Sequence, residues 1–313
     1  MTREPAAPEA TVQPSPPGTP EPGAIGGSWQ RLPDAPLELT EVAGTAHGGE
    51  AWFAGGFDAH GQPVSRVLIF ETASEEWRHG PPLPEPIHHS ALVSTGDALY
   101  LIGGYRGSRF GTPVADVRRL DPTGEGWVDA VPLPEPRAAG AAAWDGRRIV
   151  YAGGVGPAGV SATIFALDGG EWSGIGELSS AREHFAAASD DAGTVWFLGG
   201  RVGGLAGNVG TVDALRGGSL EPLGERLTPR SGVAAFWTPA SGACLAGGEG
   251  PAGTFDEVEC IAGDGQLLTL PPLALARHGL AAAVVDGDVI IALGGPRPGL
   301  FVSSATERLT VER

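Results

Sequence analysis

The sequence predicts an all-β protein: a six-bladed β-propeller with four-stranded antiparallel blades, its N-terminal strand closing the last blade. Three observations carry this. An apolar run ending in Gly-Gly recurs six times, at residues 51–56, 99–104, 149–154, 195–200, 243–248 and 290–295. The first glycines fall at 55, 103, 153, 199, 247 and 294, in steps of 48, 50, 46, 48 and 47. A fixed period of this size marks a repeat array of propeller type. Each repeat also divides into four short strands by alternation and turn residues. Finally, the two ends are complementary. The last repeat stops after a third strand, 306–311, while Ser28-Trp29-Gln30-Arg31-Leu32-Pro33 reads as a lone fourth strand.

The second repeat shows the plan. Residues 90–93 form strand a, Thr95-Gly96-Asp97 the tight a–b turn, and 99–102 strand b. A loop over 105–115 leads to strand c at 116–120; a turn at 121–124 leads to strand d, opened by Trp127. Trp77 and Trp172 open the same strand in the first and third repeats, whereas the fourth and fifth keep only their Leu- and Pro-containing segments. Strand a is rich in Ala (141–143, 186–188, 281–283), as expected where six backbones crowd one axis. Glycine at the end of strand b permits positive φ and close backbone approach.

Composition sets limits. The repeats occupy residues 28–313, a single domain. Residues 1–27 are mostly Pro, Ala, Glu and Thr, too poor in large apolar groups to offset ordering entropy. They read as a disordered tail or linker: a ragged terminus, or a tether left after a removed export signal. No stretch is long and apolar enough for a membrane helix. The net charge is -17 and all 20 basic residues are Arg, so nucleic acid is not an expected partner.

The strand grammar, with Pro-Arg before strand a, a hydrophobic strand ending Gly-Gly, and a Trp in strand d, resembles the kelch repeat over about residues 28–313. The resemblance implies four-stranded propeller blades.

In such blades the d–a and b–c loops share one face. Arg137, Arg182, Arg230 and Arg277 precede strand a in four repeats, and Arg106, Arg109, Arg201 and Arg297 lie in b–c loops. The opposite face takes acids such as Asp97, Asp145, Asp190 and Asp286. One reading is an electropositive channel mouth for an anionic ligand or acidic peptide, since Arg grips carboxylates bidentately. The other is that these arginines brace loops. His88, His89, His184 and His278 stand beside them; no carboxylate accompanies them at ligand spacing, so neither metal nor cofactor is expected. Cys244 and Cys260 fall opposite each other in a b–c hairpin that pairs Ala246 with Val258. They are either a cross-strand disulfide, which implies an oxidising compartment, or two facing thiols. The bond and the Pro-rich tail point to the cell envelope or secretion; Met1 as the true start points to the cytoplasm.

Kelch enzymes offer templates. The galactose-oxidase type needs a Cys–Tyr crosslink beside copper, and Tyr100, Tyr105 and Tyr151 are the only tyrosines. The nitrile-specifier type needs an acid-acid-His motif at spacings of four, which does not occur. For a sialate-mutarotase type the comparable cluster is Arg182, Glu183 and His184. The reading is therefore a monomeric, non-catalytic binding module for an unidentified protein or small anionic ligand. Its residues are Arg137, Arg182, Arg230, Arg277, His89, His184, His278, Arg106, Arg109 and Arg201. The alternative is a sugar-acid mutarotase or epimerase at the channel mouth.

Overall fold

The computed structural model describes residues 23–311 except Arg109. Six four-stranded antiparallel blades surround one axis. Blade 1 runs Ala43–His47, Glu50–Ala54, Val67–Glu71 and Glu76–His79 as strands a to d; blade 2 runs Ala91–Ser94, Leu99–Ile102, Val117–Leu120 and Trp127–Asp129. Blade 3 runs Ala141–Trp144, Ile149–Ala152, Thr163–Asp168 and Glu171–Glu177; blade 4 runs Ala186–Ser189, Val195–Leu198, Thr211–Arg216 and Ser219–Glu225. Blade 5 is Ala234–Thr238, Gly242–Ala246, Val258–Ile261 and Leu267–Leu270. Blade 6 takes strands a to c from Ala281–Val285, Asp288–Ala292 and Thr306–Val311, and its outer strand from Gly27–Arg31. That strand pairs antiparallel with strand c, Trp29 opposite Leu309, which removes the open sheet edge.

The expected tail extends too far. Gly23–Ala24 pairs parallel with Leu268 and Thr269 of blade 5, and the half-buried Ile25, a large apolar residue, packs into the core between blades 5 and 6. The rest of the expected tail lies outside the described residues.

The core lies between neighbouring blades rather than on the axis. Phe53, Leu68 and Phe70 of blade 1 pack against Ala281, Ala283 and Ile290 of blade 6, for example. Strand a is small because the axis is crowded: a Cβ on Gly44 would sit 2.7 Å from the Ala281 Cβ. The strand-d tryptophans are inter-blade latches. Trp77, Trp127 and Trp172 donate their indole N–H to the carbonyls of Pro33, Pro81 and Val131 just past the preceding blade, and Trp29 does so to Pro271.

Cys244 and Cys260 face each other in register and are disulfide-bonded. The bond closes a 16-residue separation, for which loop closure implies about 3 kcal/mol of stabilisation. We expect thiol titration of unreduced, denatured protein to find no free thiol, and reduction to lower the denaturant midpoint. Two titratable thiols in protein from an oxidising compartment would contradict the pairing.

Candidate functional site at the channel mouth

The Gly-Gly pairs position the site. Gly104 N–H donates to the Arg137 carbonyl at 2.8 Å, and a Cβ on Gly103 would lie 2.4 Å from that same oxygen. Only glycine lets the end of strand b touch the next blade this closely. The b–c loop is thereby laid against its own d–a loop, as in the bridges His88–Tyr105, Glu183–Arg201, Ser231–Glu249 and His278–Gly295.

On this face the six d–a loops form a hydrogen-bonded ring. His89 N–H reaches Glu41 O, Ala139 reaches His89, His184 reaches Ala139, Gly232 reaches His184, Gly279 reaches Gly232, and Val42 closes on Gly279. One residue of each loop, Glu41, His89, Ala139, His184, Gly232 or Gly279, adopts left-handed backbone, with φ from 53° to 63°. Gly232 and Gly279 do so freely, whereas Glu41, His89, Ala139 and His184 hold a conformation that costs L-residues about 1–3 kcal/mol each. Ala139 extends no further than Cβ, so the His89 and His184 rings on either side of it approach to 4.7 Å between centroids.

A polar cluster covers the ring. Glu183 accepts Arg201 Nε–H on Oε1 at 2.9 Å and His184 Nδ1–H on Oε2 at 3.0 Å. Arg201 also donates to Glu249 Oε1 at 3.1 Å and, through Nη2, to His184 Nε2 at 3.0 Å. Glu41 Oε2 lies 3.1 Å from His89 Nε2, and His278 Nε2 is 3.6 Å from Glu41 and 3.8 Å from Glu249. Phe57, Tyr105 and Phe110 wall in His88 and His89. Burial opposes ionisation of Glu183, but the hydrogen bonds from His184 and Arg201, with the Arg201 charge, outweigh it and hold the carboxyl at about 2. Burial lowers His88 to about 4, and burial with the Glu183 charge raises Tyr105 to about 12. A pocket of about 100 Å³ opens among Glu41, His89 and His184.

The sequence-predicted arginines divide. Arg201 belongs to the cluster. Arg182, Arg230 and Arg277 have fully buried side chains paired with Asp213, Glu259 and Glu307 of strand c, and Arg137 is buried against Glu135 and Ser161. Arg182, Arg230 and Arg277 also donate to the strand-b carbonyls of Phe197, Leu245 and Ile291. Buried guanidiniums need such partners, so these four brace blades and do not ring an open mouth. Arg106 is half-exposed between Glu85 and Asp116; Arg297 lies over Phe301; Arg109 is outside the described residues. Among the described residues the inner mouth thus holds three carboxylates, Glu41, Glu183 and Glu249, and one guanidinium, Arg201, the reverse of the expected charge. His89, His184 and His278 are all in it.

The Arg182–Glu183–His184 trio separates: Arg182 turns into its blade, and both Glu183 oxygens are occupied. Glu41 and Glu249 were not legible as site residues. Glu41 stands 14 residues before Gly55, as His89 does before Gly103, and superposing the repeats exposes that equivalence.

Comparison with known proteins agrees with this architecture. Residues 86–134 match the kelch motif. Kelch repeat protein M-T8 of Myxoma virus (strain Lausanne) is 28% identical over 77 residues, 25% of this chain and 15% of the viral protein. The match therefore spans about a seventh of that relative's length. The solved structure of YjhT superposes with a TM-score of 0.73 at 16% identity, covering 90% of this chain and 99% of that one. At that identity the likeness is one of fold. The kelch motif is matched over the second repeat, whose strand plan recurs in all six blades, and the fold is a six-bladed β-propeller.

Proposed function

We propose that the protein is a non-catalytic binding module that receives a small polar ligand, or a polar side chain of a partner protein, at the loop-side channel mouth. The observation that carries this is an asymmetry. Polar side chains from d–a and b–c loops converge at this mouth, while the opposite end of the channel is lined by residues such as Ala142, Ala187, Ala235 and Ala282, with no titratable side chain among the described residues. Function concentrates on loops held by a rigid scaffold. The exposed Phe110, Val202, Leu300 and Phe301 on the surrounding b–c loops add an apolar rim suited to a protein partner. The disulfide favours an oxidising compartment such as the cell envelope.

Among the described residues, the buried atoms at the mouth that lack a hydrogen-bond partner include the acceptors His89 Nε2 and Glu249 Oε2. A ligand that brings hydrogen-bond donors or positive charge fits them; a bare carboxylate does not. We expect a thermal-shift screen of chelator-treated protein to favour polyols, amines and basic peptides over sugar acids and acidic peptides. A ligand at 100 times its Kd adds about 2.7 kcal/mol, a rise of roughly 5–10 °C. Glu249→Gln is expected to reduce that rise. Stabilisation by acidic ligands that Glu249→Gln leaves intact would contradict the proposal.

A further inference from the structure

We propose that Glu41, His89 and His184 form a site for one divalent first-row transition-metal cation at the loop-side mouth. The proposal rests on the reading of that mouth as the binding site and names the chemistry of its deepest part. The donor atoms of the three side chains all lie within 4.8 Å of one another. They come from three different d–a loops, 48 and 95 residues apart, so spacing along the chain did not group them.

Proton positions make the case. His88 Nε2 lies 3.0 Å from the Gly107 carbonyl oxygen, which can only accept, so Nε2 carries the His88 proton. His88 Nδ1 is then a lone pair, and it lies 2.6 Å from His89 Nδ1, which must donate. His89 Nε2 is left as a second lone pair, 3.1 Å from Glu41 Oε2, another acceptor. Among the described residues no side chain or backbone group donates to His89 Nε2, and His89 is only 7% exposed. Two facing acceptors in a buried site are mutually repulsive, and a cation between them removes the conflict.

The spacing suits one. Two donors bonded to a cation at roughly 2.0–2.2 Å sit about 3 Å from each other. His184 completes the set. Its Nδ1–H is committed to Glu183, so Nε2 is the coordinating atom. Arg201 Nη2 now covers that nitrogen and would release it while keeping its bonds to Glu183 and Glu249. Both histidines would have their other N–H held, by Glu183 and by His88, as metal-bound histidines generally do. Two imidazoles and a carboxylate suit Zn²⁺ and its neighbours, and three protein ligands leave a position open for an incoming ligand. The bonded Cys244 and Cys260 do not compete.

The test uses the full chain, stripped with EDTA and titrated with Zn²⁺ by calorimetry, with Co²⁺ absorption as a second readout. We expect one equivalent bound, visible Co²⁺ bands, at least ~10-fold weaker binding in the near-isosteric Glu41→Gln and in His184→Gln, and ~10–100-fold weaker binding in Glu183→Gln. Replacement of the exposed His60 by Gln should change nothing. Circular dichroism confirms that each variant is folded. Absence of saturable uptake of both ions, or uptake that Glu41→Gln and His184→Gln leave within about twofold, overturns the proposal; a proton shared by Glu41 and His89 then explains their approach. The stripped protein separates the two readings. Donor-rich ligands that bind it while Zn²⁺ does not leave the binding module standing and remove the metal site. Zn²⁺ binding with no such ligand does the reverse.

Discussion

Deleting residues 1–35 is expected to cause a loss of at least roughly 10 °C in melting temperature, with aggregation on heating. The deletion removes the outer strand Gly27–Arg31 and its ladder to Thr306–Val311. It also removes the Trp29 latch to Pro271 and the buried Leu32 and Ala35 from the core between blades 6 and 1. Burying a residue such as Leu32 is worth about 1.5–3 kcal/mol, and the exposed strand edge adds unpaired backbone groups. A total of several kcal/mol is a large part of the about 5–15 kcal/mol that a domain commands, and each kcal/mol moves the midpoint of a chain this size by about 2–4 °C. Removing residues 1–22 takes away none of the described contacts and should leave the midpoint in place. Removal of 1–25 should fall between, because it strips Gly23–Ala24 and Ile25 from blade 5. A 36–313 chain that melts like the full protein would refute this closure of the ring.

Arg182→Ala is expected to destabilise by about 3–5 kcal/mol, although the position reads in the sequence as an exposed binding residue. Arg182 and Asp213 are both fully buried and bonded at 2.8 Å, and Asp213 also accepts the Ser179 N–H. Removing one partner leaves an uncompensated charge in the blade. Replacing both with apolar groups of similar size avoids that penalty, so Arg182→Met with Asp213→Leu should recover most of the loss. Chemical denaturation of the two variants measures the difference. A silent Arg182→Ala would mean that the guanidinium is free, as the electropositive mouth required.

The contrast between these two cases shows where sequence reasoning reaches. Blade count, strand order, closure and the Cys244–Cys260 register follow from spacing, because a Gly-Gly at fixed intervals and alternation of period two are local signals. The site is not local. Arg182, Arg230 and Arg277 are conspicuous in the sequence, but their carboxylate partners Asp213, Glu259 and Glu307 arrive from strand c, 31, 29 and 30 residues later, and cancel them inside the blade. Glu41, in an unremarkable Thr-Glu-Val segment, reaches His89 and His184 only because six loops converge on one axis. His89 and His184 are visible in the sequence only as neighbours of strand-a arginines and loop residues; their approach in space depends on the small Ala139 between them.

The claim at the centre of this account is that the loop-side mouth is the place where the protein holds its ligand, with the acceptors of Glu41, His89 and His184 at its base. Crystals grown with Zn²⁺ and measured on both sides of the zinc edge test it most directly. The strongest anomalous peak is expected on the channel-axis side of the ring, bonded to Glu41, His89 Nε2 and His184 Nε2, with Arg201 withdrawn from His184. Strong peaks confined to the acidic turns around Asp97, Asp145, Asp190 and Asp286, with Arg201 still on His184, would contradict it.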